Sequence, residues 1–101
     1  MASGAARQAT GSFIGTGSAF DVRTVGFRPR IVLLFNVTGL THASWSEGMA
    51  AGSVFKIINH ASAQNVLATS NGITQLADGF TVGSDADINT AAEIVYYLCC
   101  E

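Results

Sequence analysis

Along most of its length the chain alternates short apolar runs with polar, glycine-containing breaks, and no stretch has the spacing of an amphipathic helix. Phe20, Val22 and Thr24 alternate with Asp21, Arg23 and Val25, the period-two pattern of a strand with one wet face. Gly15-Thr16-Gly17 separates this run from the apolar Phe13-Ile14 before it. Gly26-Phe27-Arg28-Pro29 predicts a corner. Pro29 lacks an N–H and biases Arg28 toward extended geometry, so a strand starts after it.

Two later runs are apolar on both faces. Residues 30–38 carry Ile31, Val32, Leu33, Leu34 and Phe35, and residues 53–59 carry Val54, Phe55, Ile57 and Ile58. The proline before the first run and the β-branched content favour strands. Between them, residues 39–52 predict a long loop containing His42, Trp45, Glu47 and Met49. Trp45 fits either a lid over one end of the fold or an interface anchor. Residues 65–70 and 73–76 flank Asn71-Gly72, which predicts a type I′ hairpin because both residues accept positive φ. Asp78-Gly79 marks another turn, residues 80–83 a short strand, residues 84–90 a polar turn and residues 93–100 a final strand. About eight short strands with glycine turns predict an all-β fold: a single antiparallel β-sandwich or jelly-roll-like domain over residues 11–101. Residues 1–10 are small and polar, and predict either a flexible N-terminal arm or one that orders against a neighbouring subunit.

Composition adds a constraint. The 101 residues suit one domain, yet only 12% are charged, about half of the roughly 25% usual in soluble domains. A small domain has much surface for its volume, so this scarcity predicts apolar surface covered by another chain. In the last strand Ile94, Tyr96, Leu98 and Cys100 share one face and Val95, Tyr97 and Cys99 the other. One face is expected to be core. The other is expected to be subunit contact, with Val95, Tyr97 and Cys99, together with Leu33 and Trp45, as interface candidates. Burying a few hundred Å² there at about 25 cal/mol per Å² would contribute several kcal/mol, and a closed cyclic oligomer is the economical way to do it.

Other chemistry is thinly represented. Net charge is −2 and the five basic residues form no run, so phosphate neutralisation and nucleic-acid binding are not expected. Arg23, Arg28 and Arg30 lie close in sequence, as a local anion or partner contact or as solvated strand ends. No apolar run nears the roughly 18 residues of a membrane span, and residues 1–17 lack the apolar core of a secretory signal. Cys99 and Cys100 point to opposite faces of a strand, which makes a disulfide between them sterically poor and suits a reducing cytoplasm. His42 and His60 have no ligand-type residue at metal spacing. Asp85-x-Asp87-x-Asn89 imitates half a calcium loop, but Thr90 and Tyr96 stand where glycine and a carboxylate are required, so an Asx turn is the better reading. Gly15-x-Gly17 lacks a third glycine, and no serine sits in Gly-x-Ser-x-Gly. No catalytic residue, cofactor or metal is expected, and the chain does not read as an enzyme.

Gly26-Phe27-Arg28-Pro29-Arg30-Ile31-Val32-Leu33-Leu34, Asp78-Gly79-Phe80-Thr81-Val82-Gly83-Ser84-Asp85, Asp87-Ile88-Asn89 and the closing Glu93-Ile94-Val95-Tyr96-Tyr97 together resemble a β-sandwich domain of tailed-bacteriophage virion proteins. The chain departs from that pattern at Ala91-Ala92, where a glycine often precedes the last strand. The resemblance implies a structural virion protein. With no coiled coil or β-helix shaft in the chain, a capsid decoration (cement) protein is expected, made in the host cytoplasm and placed on the capsid surface. Its implied partners are further copies of itself, as a homotrimer, and the major capsid protein. The alternative is a tail-tip or head-fibre module that binds host glycans through residues 39–52, with Trp45 stacking on a sugar.

Overall fold

Alternation in the sequence becomes alternation between the two faces of one curved sheet. The computed structural model describes residues 7–59 and 63–101. Its strands are β1 (Gln8–Ile14), β2 (Phe20–Val22), β3 (Ile31–Asn36), β4 (Thr41–Ser46), β5 (Ser53–Ile58), β6 (Gln64–Gln75), β7 (Phe80–Val82) and β8 (Ile94–Cys100). All pairings are antiparallel, in the order β1-β8-β3-β4-β5-β6-β7-β2. The sheet curls into a half-barrel, and no helix occurs among the described residues.

The curl follows from where the large apolar side chains lie. Val32, Leu34, Trp45, Val54, Ile73, Phe80, Val82, Val95 and Tyr97 form one buried cluster on the concave side. Closing the sheet around them removes their area from water at about 25 cal/mol per Å². The edge strands β1 and β2 are consecutive in the chain, and the turn between them draws the edges together. Phe13 meets Phe20 edge to face at 5.2 Å. The Gly15 N–H donates to the Glu93 carbonyl at 2.8 Å and that of Gly17 to the Asn89 carbonyl at 3.1 Å. Across the interior, Tyr97 packs edge to face on Phe80 at 5.6 Å, and its hydroxyl lies 3.1 Å from Thr24 Oγ1. Gly11 pairs with Tyr97, and a Cβ at that position would sit 2.5 Å from the tyrosine oxygen. The ring therefore covers a glycine on an edge strand, filling what would be a gap.

Strand β2 ends at Val22, so the alternation expected through Val25 breaks and Val25 is buried; three further boundaries differ from the sequence reading. Residues 41–46, expected within a loop, form β4. Thr41, Ala43 and Trp45 point inward and His42, Ser44 and Ser46 outward, a period of two carried by residues too small or polar to register as a strand. Its hairpin with β3 is held by Asn36, whose Oδ1 accepts the N–H groups of Thr38 and Gly39 at 3.1 and 2.9 Å, with Leu40 at a φ of 53°.

Asn71-Gly72 does not turn a hairpin. Residues 64–75 form the single strand β6, whose pairing jumps from Val54–Ala68 to Ser53–Ile73. The extra residues bulge, and Asn71 takes the expected positive φ, 61°, at the kink. The bend lets one strand pair with β5 through its first half and β7 through its second. Finally, Gln8, Ala9 and Thr10, expected in the N-terminal arm, are already paired with Cys100, Cys99 and Leu98. Residues 1–6 of that arm lie outside the described residues, as does His60.

Candidate functional site: the outer face of the sheet

Strand register settles which face of each strand is core. Val95 lies opposite Phe13 and Asn36, and Tyr97 opposite Gly11 and Leu34. Val95 and Cys99 have no exposed surface and Tyr97 only 6%, so the three residues expected at a subunit contact belong to the core. Trp45, at 3%, is buried with them. It is neither an interface anchor nor available to stack on a sugar. Alternation had sorted the side chains into two sets without saying which set faces inward, and only the neighbouring strands supply that. Leu33 alone of the five candidates faces outward, half-buried. Burial pushes the Cys99 thiol up to about 12, with the adjacent Cys100 adding to the effect, so Cys99 is a protonated packing group.

The outer face is built in cross-strand rows. One runs Ser12–Tyr96–Phe35–His42–Ile57–Asn65 from β1 to β6, and the next Thr10–Leu98–Leu33–Ser44–Phe55–Leu67. Beside them stand Ile94 and Ile31. Seven of these apolar side chains are 36–60% exposed, Tyr96 at 47% and Leu67 at 60% among them. His42 stacks on Phe35 at 4.9 Å with an interplanar angle of 18°. Beside this pair, Val37, Leu40 and Ile57 help to line a shallow groove of about 330 Å³. At roughly 150–200 Å² for a whole large side chain, the seven expose about 600 Å² together, the upper end of what single-chain proteins leave uncovered. Covering it would release about 15 kcal/mol before association costs of about 4–15 kcal/mol.

No charged residue occupies this face. All twelve acidic and basic side chains sit in turns, at the chain end, on β2 or, for Lys56, inside the half-barrel. The five cations are engaged within the chain. Arg7 pairs with Glu101, Arg23 with Asp21 and Asp78, and Arg30 with Glu47, while Arg28 donates to Gln75 at 2.7 Å. Arg23, Arg28 and Arg30 thus have separate partners and do not form a common anion site.

Lys56 is the buried case. Its side chain is 8% exposed and its ammonium lies 2.8 Å from Asp85 and 2.7 Å from Asp87. Burial alone would lower its pKa, but hydrogen bonds and charge from the two carboxylates outweigh that and leave it raised. The turn that supplies the carboxylates is an Asx turn, with the Asp87 N–H donating to Asp85 Oδ1 at 2.9 Å. It is anchored by fully buried Asn89, which accepts the N–H of Thr16 at 2.8 Å and donates to the carbonyls of Ser18 and Gly83 at 2.8 and 2.9 Å. Among the described residues no group of three or more His, Cys, Asp or Glu is placed to hold a metal ion.

Sequence reasoning missed Tyr96, Phe35, Phe55 and Ile57 as the exposed set. The scarcity of charge was the available signal that some such surface existed. Comparison with protein-family models, curated proteins and solved structures finds no match to this chain.

Proposed function

We propose that the chain is a structural assembly protein that associates with copies of itself, and specifically a bacteriophage capsid decoration (cement) protein. The observation that carries the reading is the charge-free apolar outer face of the sheet. Such a face is costly to leave wet, and neither a carboxylate nor an ammonium or guanidinium group stands among its polar side chains, Thr10, Ser12, His42, Ser44 and Asn65. Nearby Asn36 and Thr41 are buried, and the Asn36 amide is already bonded to Glu93 at 2.9 Å.

The virion assignment rests on the resemblance of residues 26–34, 78–85, 87–89 and 93–97 to phage virion domains. In this reading three copies assemble on the capsid surface, where each contacts the major capsid protein and many weak contacts add up to resist expansion. The chain has no catalytic role and needs no cofactor. When copies assemble, a neighbouring copy covers the outer face. The glycan-binding alternative depended on Trp45, which lies in the core.

Co-sedimentation with purified expanded capsid shells tests the assignment. Saturable binding that raises the temperature at which shells rupture is expected. A protein that stays in the supernatant at every concentration refutes the decoration role.

A further inference from the structure

Asparagine followed by glycine is the dipeptide most prone to deamidation, because no side chain hinders the glycine nitrogen from attacking the asparagine carboxamide carbon. Of the chain's five asparagines only Asn71 precedes a glycine. The fold leaves little room for a milder pair here. Asn71 holds a φ of 61° at the bulge of β6, a conformation that favours glycine, asparagine or aspartate. At Gly72 a Cβ would stand 2.7 Å from the Gly52 carbonyl oxygen and from the Ser53 backbone.

The Asn71 side chain is exposed, yet the peptide unit between Asn71 and Gly72 is tied at both ends. The N–H of buried Gly72 donates to the Gly52 carbonyl at 2.8 Å, and the Asn71 carbonyl accepts the Asp85 N–H at 3.1 Å. Attack requires that N–H to lose its proton and the peptide plane to turn toward the side chain, which breaks both bonds.

We infer that Asn71 is a deamidation site gated by folding: closed in the native sheet and open whenever this part of β6 detaches. In the open chain the Gly72 nitrogen gives its proton to hydroxide and bonds to the Asn71 Cγ, and the amide nitrogen leaves as ammonia after taking a proton from water. Water then opens the cyclic imide at either carbonyl, giving aspartate or isoaspartate. Isoaspartate adds a methylene to the main chain just before Ile73, which pairs with both Ser53 and Val82. The added length displaces that double pairing, so an unfolding episode becomes irreversible.

Peptide mapping of the full chain, incubated in mildly alkaline buffer with and without concentrated urea, reads the gate. In urea, the Asn71 peptide should gain one mass unit and split into aspartate and isoaspartate forms well before Asn65, which precedes valine. Without urea the Asn71 rate should be lower by about a hundredfold or more, because only chains open at this segment react. A native rate within about tenfold of the rate in urea overturns the inference, as does urea-treated protein in which Asn71 reacts no faster than Asn65. Asn71→Gly keeps the positive φ and cannot deamidate, so its refolding yield after long storage in urea should hold while the parent's falls. An equal fall in both overturns the link to irreversible unfolding.

Discussion

Two adjacent tyrosines give the sharpest test of which face is core. Tyr97 is enclosed by Phe80 at 5.6 Å, by Thr24 at 3.1 Å from its hydroxyl, and by the backbone of Gly11. Tyr97→Ala removes the ring and leaves a cavity that the barrel wall cannot collapse into, at a cost of about 3–5 kcal/mol. A domain of this length is stable by about 5–15 kcal/mol, so the loss is a large share of the total. Tyr97→Phe removes only the hydroxyl contact, about 0.5–1.5 kcal/mol. Tyr96→Ala, one residue away on the outer face, should cost less than about 0.5 kcal/mol within one chain. Urea unfolding followed by tryptophan fluorescence reads all three, because Trp45 sits in the same core. With a slope of about 1–1.5 kcal/mol per molar urea, Tyr97→Ala moves the midpoint by about 2–4 M. Repeating the titrations over a range of protein concentrations separates the faces. The Tyr96 effect should grow with concentration, since it acts through association, and the Tyr97 effect should not. A Tyr97→Ala loss below about 1 kcal/mol, or a larger loss for Tyr96→Ala at the lowest concentration, refutes the assignment of faces.

Three further outcomes follow from local geometry. Ala92 has a φ of 66° in the turn where the Glu93 N–H returns to the Thr90 carbonyl at 3.2 Å, so Ala92→Gly should stabilise by about 0.5–1 kcal/mol. That is a rise of about 3–6 °C in melting temperature. A fall in melting temperature would mean the turn is not strained. Lys56→Met removes the ammonium that Asp85 and Asp87 share and should cost about 3 kcal/mol. Because the folded state raises the Lys56 pKa, its contribution is complete below the ordinary lysine value of 10.5 and fades as pH rises through the folded value. Melting curves should therefore show an alkaline loss in the parent that is smaller in Lys56→Met. Cys99 should resist a thiol reagent at neutral pH until the protein is unfolded in urea; modification of Cys99 in the native protein, located by peptide mapping, would contradict its place in the core.

The strands themselves were legible in the sequence, because period-two alternation and glycine breaks are local properties. Residues 31–36 and 94–100 were found for that reason. Strand β4 was not, since Ala43, Ser44 and Ser46 are too small to give a hydrophobic period. The Asn71-Gly72 signal predicts positive φ at both residues and a hairpin; Asn71 alone has the positive φ, and it sits at a bulge. The dipeptide specifies a backbone conformation, whereas its use as a turn or a bulge depends on which strands pair around it. The same limit applies to the candidate contact surface. Low charge announced that some apolar face needed covering, but choosing Tyr96 over Tyr97 required the register of β8 against β1 and β3. Ala92, in the turn before the last strand, takes a positive φ that glycine adopts more readily, and strand periodicity carries no signal of it.

The molar mass of the protein in solution, measured by light scattering on a size-exclusion column, tests the self-assembly of this face most directly. A chain of 10.5 kDa should elute as an assembly of three copies, and Tyr96→Glu or Phe55→Glu should convert it to a monomer with an unchanged circular dichroism spectrum. A parent protein that stays at the mass of one chain at every concentration would contradict the account.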